Sequence, residues 1–539
     1  MILRYINLND KLSRRDFLVF FVLGLVLALG ISLVQRVPGY TDAEYYYSGG
    51  VRLFEGEGFT EMILWNYLDD PAGLPHPSHA YWMPLPSVLA AAGMFLLQNS
   101  GFFAGRLVFI LVSAVIPPLT ALLAQRLGQS KRGAYLAGLL ALFSGFYLNF
   151  TTLTEGFAPV MVLGSVFFLT SFGRSEAEKQ SPVWFLIPGL VAGLMHLTRA
   201  DGFLWLAAGG LAAIWTLHMD KKAFSSQTML ALLCVVGGYL VVMGPWFLRN
   251  VQAFSSLMPP GGSKGFWLRN YNEIFSYPAD QLTAEGWLAS GWRAILGDRL
   301  GALWSNLKTA FAVQGEIFLF PLMLAGLWRQ RRKKQVLVGA GLWFVILGVM
   351  SFVFPYAGAR GGFIHSGAAL QPLLWASVPF GLDAFVAWGS KKRSNWDGAT
   401  AVRVFGFGLV LLSMLMSGVL FTSRVVGSDF QNPVWEATWD RQFLYEEELA
   451  YHGASSDDVV MINNPAGLFA ATGRAAIVTP NGGVETAIAA AQQYGARYLI
   501  LEEDHVEGLD ELYEAPENMP GLIYLSKIQN AYLLEFAFD

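Results

Sequence analysis

Eleven long apolar runs dominate the sequence, and their length constrains the fold more than any other feature. A helix needs about 20 predominantly apolar residues to cross the hydrocarbon core of a bilayer. Charged residues make up only 14% of the chain, whereas about 25% is usual in soluble proteins. We therefore predict a polytopic α-helical membrane protein with about 11 to 13 spans. The candidate spans are residues 17–34, 106–124, 133–150, 156–172, 183–198, 202–218, 228–248, 308–328, 336–354, 367–388 and 402–423.

A twelfth run, residues 81–97, is short and is interrupted by Pro84 and Pro86. Lys and Arg are enriched in cytoplasmic loops, and this bias decides how the run is interpreted. If the run does not cross the membrane, all the basic loops lie on the side of the basic N-terminal segment Met1–Asp16. If it crosses, the basic loop 329–335 falls outside. We expect residues 81–97 to be re-entrant or interfacial and the N-terminus to be cytoplasmic. The basic loops are 125–133, 173–182, 218–227, 329–335 and 389–403.

The opposite, outer face collects acids, histidines, aromatic residues and isolated arginines. No small-residue cleavage site follows the run 17–34, so we interpret it as a retained signal-anchor. The single cysteine, Cys234, lies inside an apolar run, which excludes a disulfide framework and a thiolate metal site. The outer segments are the first outer loop 35–105, the short segments 149–157, 198–201 and 355–365, the long outer loop 249–307, and the C-terminal segment.

The C-terminal segment, residues 428–539, differs sharply in composition from the membrane part, residues 1–425. It holds nineteen Asp and Glu against four Lys and Arg, which leaves fifteen net negative charges (19 minus 4). Apolar strands begin near residues 459, 475 and 497 and alternate with helical stretches, and two final runs suggest a hairpin. This alternation predicts a separate, extracytoplasmic α/β domain with a largely parallel sheet. Its acidity makes nucleic acid a poor partner.

Three carboxylates are predicted to lie where the chain leaves the membrane on the outer face. Asp42 and Glu44 follow the first run in YTDAEYYYSGG, and Glu155 lies between two runs in LTEGFAPV. Ionisable residues near membrane depth are costly and are functional candidates by default. The structural alternatives are an N-cap role for Asp42 and capping of the following helix by Glu155. Asp42 and Glu44 would share a face in an extended loop but would diverge on a helix, and a helix is predicted over 44–54.

Tyrosines and histidines of the first outer loop are weaker candidates. Tyr45 and Tyr46 are candidates for binding acceptor or substrate, although an aromatic belt at the membrane interface is the commoner reason for such residues. His76 and His79 flank two residues in HPSH and are candidate metal ligands. The proline between them predicts a loop, where simple solvent exposure is the alternative. No cofactor is assigned, and the use of a divalent metal ion is left open.

Isolated arginines lie at the ends of predicted spans on the outer face. A guanidinium suits bidentate binding of phosphate, and several arginines with His365 would form an anion site at the interface. The alternatives are snorkelling, or pairing with Asp201 and Glu155. The segment GARGGF lacks the spacing of a nucleotide-binding phosphate loop. The arginines are Arg199 in HLTRADGF, Arg249 in GPWFLRN, Arg269 in FWLRNYN and Arg360 in AGARGGFIH.

The order of the motifs resembles that in the GT-C class of polyprenyl-phosphate-sugar-dependent glycosyltransferases. The closest similarity is to the group of protein mannosyltransferases and lipid A aminoarabinose transferases, and it covers about residues 1–425. The resemblance implies an inverting transfer of a sugar from a polyprenyl-phosphate donor to a hydroxyl acceptor on a protein, lipid or glycan. The motifs are the acidic pair after the first run, the aromatic helix beyond it, YWMPLPSVL, LTEGFAPV, TRADGFLWL, GPWFLRN and ARGGFIHSGAALQPLL.

The resemblance also implies roles for individual residues. Asp42 matches the catalytic base of the first outer loop, with Glu44 as its partner or alternative, and Glu155 would orient the acceptor or a metal ion. The WWDYG-type motif of oligosaccharyltransferases does not occur, which argues against transfer of a whole oligosaccharide to Asn. The candidates for donor phosphate are Arg199, Arg360, His365 and Arg249. The candidates for acceptor or substrate are Tyr45, Tyr46, Asp201 and Arg269.

Two other functions remain as alternatives. A transporter or flippase of a lipid-linked or anionic substrate would favour internal repeats and a site at the membrane midplane. No internal repeat is evident, and the polar residues collect at one interface. A scaffold that displays the C-terminal domain would leave Asp42, Glu155 and the arginines without a role. The expected partners are the sugar donor, the acceptor and membrane lipids, and the expected location is the cell membrane of a bacterium or archaeon.

Overall fold

The computed structural model describes residues 11–172, 181–217, 225–392, 396–428, 433–517 and 520–538. Arg4 and most of the predicted basic loops 173–182 and 218–227 lie outside the described residues. The helices are α1 Arg14–Val34, α2 Thr41–Phe54, α3 Leu85–Leu97, α4 Phe102–Arg126, α5 Lys131–Leu142, α6 Phe157–Thr170, α7 Leu186–Thr198, α8 Leu204–Leu217, α9 Ser226–Phe254, α10 Pro260–Lys264, α11 Ala284–Ala289, α12 Trp292–Thr309, α13 Phe320–Arg329, α14 Lys334–Gly348, α15 Pro355–Ala357, α16 Phe363–Ala368, α17 Gln371–Lys392, α18 Gly398–Phe421, α19 Val434–Tyr451, α20 Pro465–Thr472, α21 Val484–Tyr494 and α22 Asp510–Glu514. The strands are β1 Thr60–Glu61, β2 Ile63–Leu64, β3 His76–Pro77, β4 Val459–Ile462, β5 Ala476–Val478, β6 Ala496–Leu501, β7 Leu522–Ile528 and β8 Ala531–Phe536.

The predicted polytopic helical fold is confirmed. Among the described residues, 6 helices are long and apolar enough to cross a membrane, or 7 if a pair bent by 72° counts as one span. Large apolar side chains on these helices face outward, as Leu33 (76% exposed) and Phe407 (71%) do, which suits contact with lipid. The long helices are α1, α4, α9 and the segments Ala200–Leu217, Lys334–Val353 and Gly398–Val426, and the bent pair joins Pro355–Ala368 to α17.

Other predicted spans correspond to shorter helices. The runs 156–172 and 183–198 form the apolar helices α6 and Pro182–Thr198, each under 18 residues long. The twelfth run forms α3, which begins after Pro84 and has Pro86 in its first turn, where proline's missing N–H costs nothing. Which of these helices cross the membrane stays a prediction.

One predicted span, 308–328, is not a single helix. After α12 the chain makes one wide π-helical turn, and α13 begins only at Phe320. Between them Glu316 and Ile317 have φ angles of 45° and 57°, which interrupt helical hydrogen bonding. The Glu316 carboxylate accepts hydrogen bonds from Trp375 Nε1 (3.0 Å) and Ser413 Oγ (3.1 Å), so neighbouring helices stabilise the break.

Polar anchors and small residues fix how the helices pack. The side chain of Asp16 caps the start of α1 by accepting from the Ser13 backbone N–H at 2.7 Å, and it pairs with Lys131 Nζ on α5 at 3.0 Å. A Cβ at Gly326 would collide with the Ser377 carbonyl, so α13 and α17 are in backbone contact. Such close approach is typical of helix association in membranes.

The C-terminal segment forms the predicted α/β layered structure. Strands β4, β5 and β6 are parallel, and β7 and β8 form the predicted hairpin, which pairs with β6 through β8. Apolar residues pack on both faces of the sheet, with α21 on one side and α19 on the other. The acidic residues therefore occupy loops and helix surfaces around a conventional apolar core.

The first outer loop adds a strand to the C-terminal sheet. The strand order is β2-β5-β4-β6-β8-β7, and β2 pairs in parallel with β5 (Ile63 with Ala476). The Tyr67 hydroxyl donates to the carbonyl of Val478, 411 residues later in the chain. The domain boundary near residue 428 remains a prediction, but the sheet itself includes residues from the first outer loop.

Candidate active site

Helix α2 places the two acidic residues of the first outer loop. It begins at Thr41, three residues before the predicted start, and its N-cap is Tyr40. The N-cap role considered for Asp42 is therefore wrong, because Asp42 already lies in the first turn of the helix. Residues two apart on a helix point in different directions, so the carboxylates of Asp42 and Glu44 contact different groups.

Asp42 belongs to a cluster of charges with Glu155, His365 and Arg199. Glu155 is 3% exposed, and its carboxylate accepts hydrogen bonds from the Gly156 backbone N–H (2.6 Å) and the Tyr40 hydroxyl (3.1 Å). His365 Nδ1 lies 3.3 Å from Glu155 Oε1, and the imidazole stacks on Phe157 with 4.1 Å between ring centroids. Residues from four separate segments of the sequence thus meet at one place.

The two carboxylates of the cluster have opposite protonation tendencies. Burial, together with the negative charge of Glu155, raises the pKa of Asp42 to about 6. Burial alone would also raise the pKa of Glu155, but His365, the Gly156 N–H and Arg199 hold that pKa below its ordinary value. Glu155 is therefore a fixed negative charge, whereas Asp42 can exchange a proton near neutral pH.

Glu44 faces the C-terminal domain. Its Oε2 accepts a hydrogen bond from Asn464 Nδ2 at 2.8 Å, and Asn464 caps α20 through the Gly467 backbone N–H. Glu44 is 3% exposed, and burial raises its pKa to about 7 against the opposing effect of Asn464. Glu44 therefore joins the membrane part to the C-terminal domain.

A buried arginine at the start of α4 holds the loops of this cluster in place. Arg106 is 1% exposed, and its guanidinium donates to the Thr152 carbonyl (3.0 Å), to the Thr152 hydroxyl (2.8 Å) and to both oxygens of Gln35. Beside it, the Thr154 hydroxyl donates to the Ala43 carbonyl at 2.7 Å. These bonds tie the Glu155 loop to α2, so they fix Glu155 relative to Asp42.

Of the four arginines predicted from the sequence, Arg199 acts on the cluster through its charge, and Arg360 lies against Tyr271. Arg199 donates from Nε to Asp201 (3.1 Å), and its positive charge still lowers the pKa of Asp42. Arg360 is exposed and lies over the ring of Tyr271 at 4.1 Å. Both guanidinium groups keep donors that an anion can use.

The other two predicted arginines are held by protein groups. Arg249 donates to the backbone carbonyls of Phe59 (3.0 Å) and Ser78 (2.8 Å). Arg269 pairs with Asp298 at 2.8 Å in the long outer loop. These contacts give both residues structural roles, and their predicted roles in binding donor phosphate or acceptor remain predictions.

The two predicted histidine ligands lie inside the first outer loop. His76 Nε2 is 3.0 Å from Glu61 Oε1, and Glu61 and Asp69 raise the pKa of His76 to about 9 although burial opposes this. The His79 backbone N–H donates to the Tyr45 hydroxyl at 2.9 Å. In the part of the chain that the structure describes, no group of three or more His, Cys, Asp or Glu side chains could hold a metal ion.

The two tyrosines that we considered for substrate contact differ in their surroundings. Tyr45 is 2% exposed and packs edge to face against Trp82, so it contributes to the core of the loop. The charges that affect the Tyr46 hydroxyl are those of Glu155, Asp42 and Arg199. Tyr46 therefore borders the charged cluster, and Tyr45 does not.

Sequence reasoning did not find Arg106, Asn464 or Tyr271. Arg106 is the first residue of the predicted span 106–124, and Asn464 lies 420 residues from its partner Glu44. The only available signal for Arg106 was its placement at membrane depth without an acidic neighbour in sequence.

Comparisons with known proteins agree with this architecture. Residues 76–247 match the family model of dolichyl-phosphate-mannose-protein mannosyltransferase. No curated protein sequence matches the chain. The fold is similar to that of ArnT from Cupriavidus metallidurans in the apo state, with 13% identity, coverage of 97% of this chain and 98% of that chain, and a TM-score of 0.56. The same ArnT bound to undecaprenyl phosphate gives 14% identity, the same coverage of 97% and 98%, and a TM-score of 0.54.

A third solved structure has the same fold with lower coverage. The Archaeoglobus fulgidus oligosaccharyltransferase in complex with Zn and sulfate matches 89% of this chain and 67% of its own, with 12% identity and a TM-score of 0.51. The family match over residues 76–247 and these folds confirm the resemblance inferred from the motif order. The chain has the GT-C-like fold that it shares with ArnT and with the archaeal oligosaccharyltransferase.

Proposed function

We propose that the protein is an inverting glycosyltransferase that moves a sugar from a polyprenyl-phosphate-linked donor to a hydroxyl acceptor. The observation that supports this most strongly is the meeting of Asp42, Glu155, His365 and Arg199 in one cluster. A base and cations side by side are what such a transfer requires. ArnT from Cupriavidus metallidurans has been solved with undecaprenyl phosphate, a lipid phosphate of the proposed donor class.

Asp42 is the base in this proposal. Its carboxylate takes the proton of the acceptor hydroxyl as the hydroxyl oxygen attacks the anomeric carbon from the side opposite the phosphate. The bond between the anomeric carbon and the phosphate oxygen breaks, its electron pair leaves with polyprenyl phosphate, and the anomeric configuration inverts. A pKa of about 6 suits this role, because Asp42 is mostly ionised at pH 7 yet can hold a proton.

Cations stabilise the leaving phosphate. Arg199 and Arg360 supply positive charge, and a guanidinium can hold two phosphate oxygens at once, while the His365 imidazole can donate a further hydrogen bond to the phosphate. Glu155 orients the His365 imidazole through the 3.3 Å contact. Removing one such stabilising group typically lowers the rate about 100- to 1,000-fold.

Glu44 is the second candidate base. It lies two residues after Asp42 on α2 and is bonded to Asn464, which places it toward the C-terminal domain. In our assignment it contacts the acceptor and does not take the proton. The predicted orientation, with the N-terminus cytoplasmic and the C-terminal domain outside, puts the reaction at the outer face of the membrane.

The test is sugar release from a panel of polyprenyl-phosphate sugars by purified protein in lipid nanodiscs, with a membrane extract supplying acceptors. Wild type should turn over at least one donor, and folded Asp42→Asn should lose at least about 100-fold in rate. Asp280→Asn is the matched control, because Asp280 is exposed in the long outer loop, and it should keep wild-type turnover.

Each other result has a definite meaning. Full turnover by Asp42→Asn would contradict Asp42 as the base and transfer that role to Glu44 or Glu155. Absence of turnover with every donor would contradict the glycosyltransferase proposal, and transport of lipid-linked or anionic substrates would be measured next.

A further inference from the structure

A cavity of about 560 Å³ lies between the long outer loop and the C-terminal sheet. Tyr271 and Phe275 line it on one side, and Thr41, at the start of α2, borders it next to Asp42. The reaction proposed above uses neither the cavity nor the C-terminal residues that line it. A volume in the range of about 300 to 1,000 Å³ is typical of small-molecule sites.

The cavity is formed where the parallel strands of the C-terminal sheet end. Asn463 and Asn464 follow β4, Thr479 follows β5, and Glu502 follows β6. The central strand β4 is paired with β5 on one side and β6 on the other, so the chain order reverses there. In open α/β sheets, ligands bind outside the carboxyl ends of the strands at such a reversal.

The lining is polar, and its carboxylates outnumber its cations. Glu502, Glu503 and Asp504 line the cavity together with the cation Arg441 and with His505. Asparagine and glutamine side chains in the lining add hydrogen-bond donors and acceptors. His505 is paired with Asp510 at 3.2 Å. Such a lining suits hydroxyl and amide groups and repels phosphate.

One buried polar group of the lining lacks a partner in the described part of the chain. Thr479 is 3% exposed, and its hydroxyl makes no hydrogen bond. Leaving a buried hydroxyl unpaired costs about 1 to 3 kcal/mol. A ligand group that forms a hydrogen bond with this hydroxyl would offset that cost.

The cavity joins the catalytic cluster through two contacts. Asn464 lines the cavity and donates to Glu44 on α2. Tyr271 lines it as well, and Arg360, a proposed phosphate ligand, lies over the Tyr271 ring. A molecule in the cavity therefore lies next to Asn464, which is bonded to Glu44, and next to Tyr271, which Arg360 covers.

We propose that this cavity is the acceptor site and that the acceptor is an uncharged sugar unit of a glycan. The inference rests on the proposed function, since an acceptor exists only if the protein transfers a sugar. Carboxylates and amides would bind the sugar hydroxyls, and Phe275 would pack against the ring. The C-terminal domain thereby selects the acceptor, whereas the membrane part holds the donor.

The first test measures binding in the absence of donor. Saturation-transfer NMR on the full protein in nanodiscs would use methyl α-mannoside, methyl α-glucoside, methyl α-galactoside and N-acetylglucosamine as probes, with mannose 6-phosphate as the anionic comparison. At least one neutral sugar should bind, and mannose 6-phosphate should not. Glu502→Gln should weaken binding about 10-fold, because the charge is lost while an oxygen remains for the Tyr445 hydroxyl.

A matched variant controls for general effects on the C-terminal domain. Glu485→Gln removes a carboxylate from the exposed face of α21, away from the cavity, and should bind sugars as wild type does. Glu485→Gln should keep the wild-type melting temperature, and Glu502→Gln should melt no lower than wild type, because burial raises the pKa of Glu502. Absence of binding by every neutral sugar, equal binding of mannose 6-phosphate, or unchanged binding by Glu502→Gln would overturn the inference.

The second test measures transfer to the sugar that binds. Glu502→Gln should raise the acceptor KM about 10-fold and leave kcat and the donor KM within about twofold. Donor turnover with an unchanged acceptor KM would contradict this inference alone. Sugar binding without turnover of any donor would contradict the proposed function and leave sugar binding in the cavity standing.

Discussion

Replacing Asp42 by Asn should stabilise the protein at neutral pH while it removes turnover. Asp42 is half-buried near Glu155, and burial together with that negative charge raises its pKa from 3.8 to about 6. A buried acid with a raised pKa is ionised at a cost to the folded state. The amide of Asn keeps the size and polarity of the side chain and removes the charge.

The size and sign of this effect follow from the pKa shift. A difference of about 2 pKa units corresponds to about 3 kcal/mol, and partial exposure of Asp42 reduces this to about 1 to 3 kcal/mol. The folded state binds the proton more tightly than the unfolded state, so wild-type stability falls as pH rises from 3.8 to about 6 and stays low above that. The Asn variant lacks this loss.

The assay compares apparent melting temperatures in nanodiscs across pH. The difference between Asp42→Asn and wild type should be near zero at about pH 4 and should grow to a few degrees above about pH 6. Asp280→Asn, in which an exposed acid of the long outer loop is changed in the same way, should show no such growth. Comparing variants at each pH cancels the contributions of all other titrating groups.

A definite result would refute this reasoning. If Asp42→Asn melts below wild type at pH 7.5 while the two agree at pH 4, the carboxylate stabilises the fold when ionised. Asp42 would then be a structural ion-pair partner with a lowered pKa, and the proposed base would have to be Glu44.

Three further predictions concern other contacts. The positive charge of Arg199 lowers the pKa of Asp42, so Arg199→Gln should raise that pKa and move the acidic limb of the kcat/KM profile to higher pH. A pH–rate profile measures this shift, and an acidic limb that does not move would contradict the prediction. Arg249→Met should cost about 2 to 4 kcal/mol of stability, because its guanidinium holds two backbone carbonyls, and should leave donor KM unchanged. A raised donor KM with full stability would instead place Arg249 at the phosphate. Tyr67→Phe should cost about 1 kcal/mol by releasing the Val478 carbonyl, with turnover nearly unchanged, and thermal melts would show it.

Features that depend on local pattern were predictable from the sequence. The strands β4, β5 and β6 are short apolar runs bounded by turn residues, and their parallel pairing follows from alternation with helices. Asp42 and Glu155 were recognisable as candidates because a carboxylate next to a membrane span is energetically costly and is therefore usually functional. Their shared side of the membrane followed from the distribution of Lys and Arg in the loops.

Features that depend on long-range pairing were not predictable. Arg249 and Arg199 both lie at the end of an apolar run in the sequence. In the structure, the Arg249 guanidinium donates to two backbone carbonyls, whereas the charge of Arg199 acts on Asp42. Whether a guanidinium keeps free donors depends on which carbonyls the fold brings to it. The same holds for Glu44, whose hydrogen-bond partner Asn464 lies 420 residues away.

Because β2 pairs with β5, the sheet cannot form fully until the C-terminal segment has been synthesised. The Tyr67 and Val478 contact spans 411 residues, so at about 5 to 20 residues per second of synthesis roughly 20 to 80 seconds pass before the first outer loop meets its partner. During that interval the edge of β2 is uncovered and is open to pairing with other chains. A ribosome that stalls before residue 476 leaves a chain with its membrane helices made and its first outer loop unfinished. Truncated products should therefore be recognised by quality-control proteases at this loop.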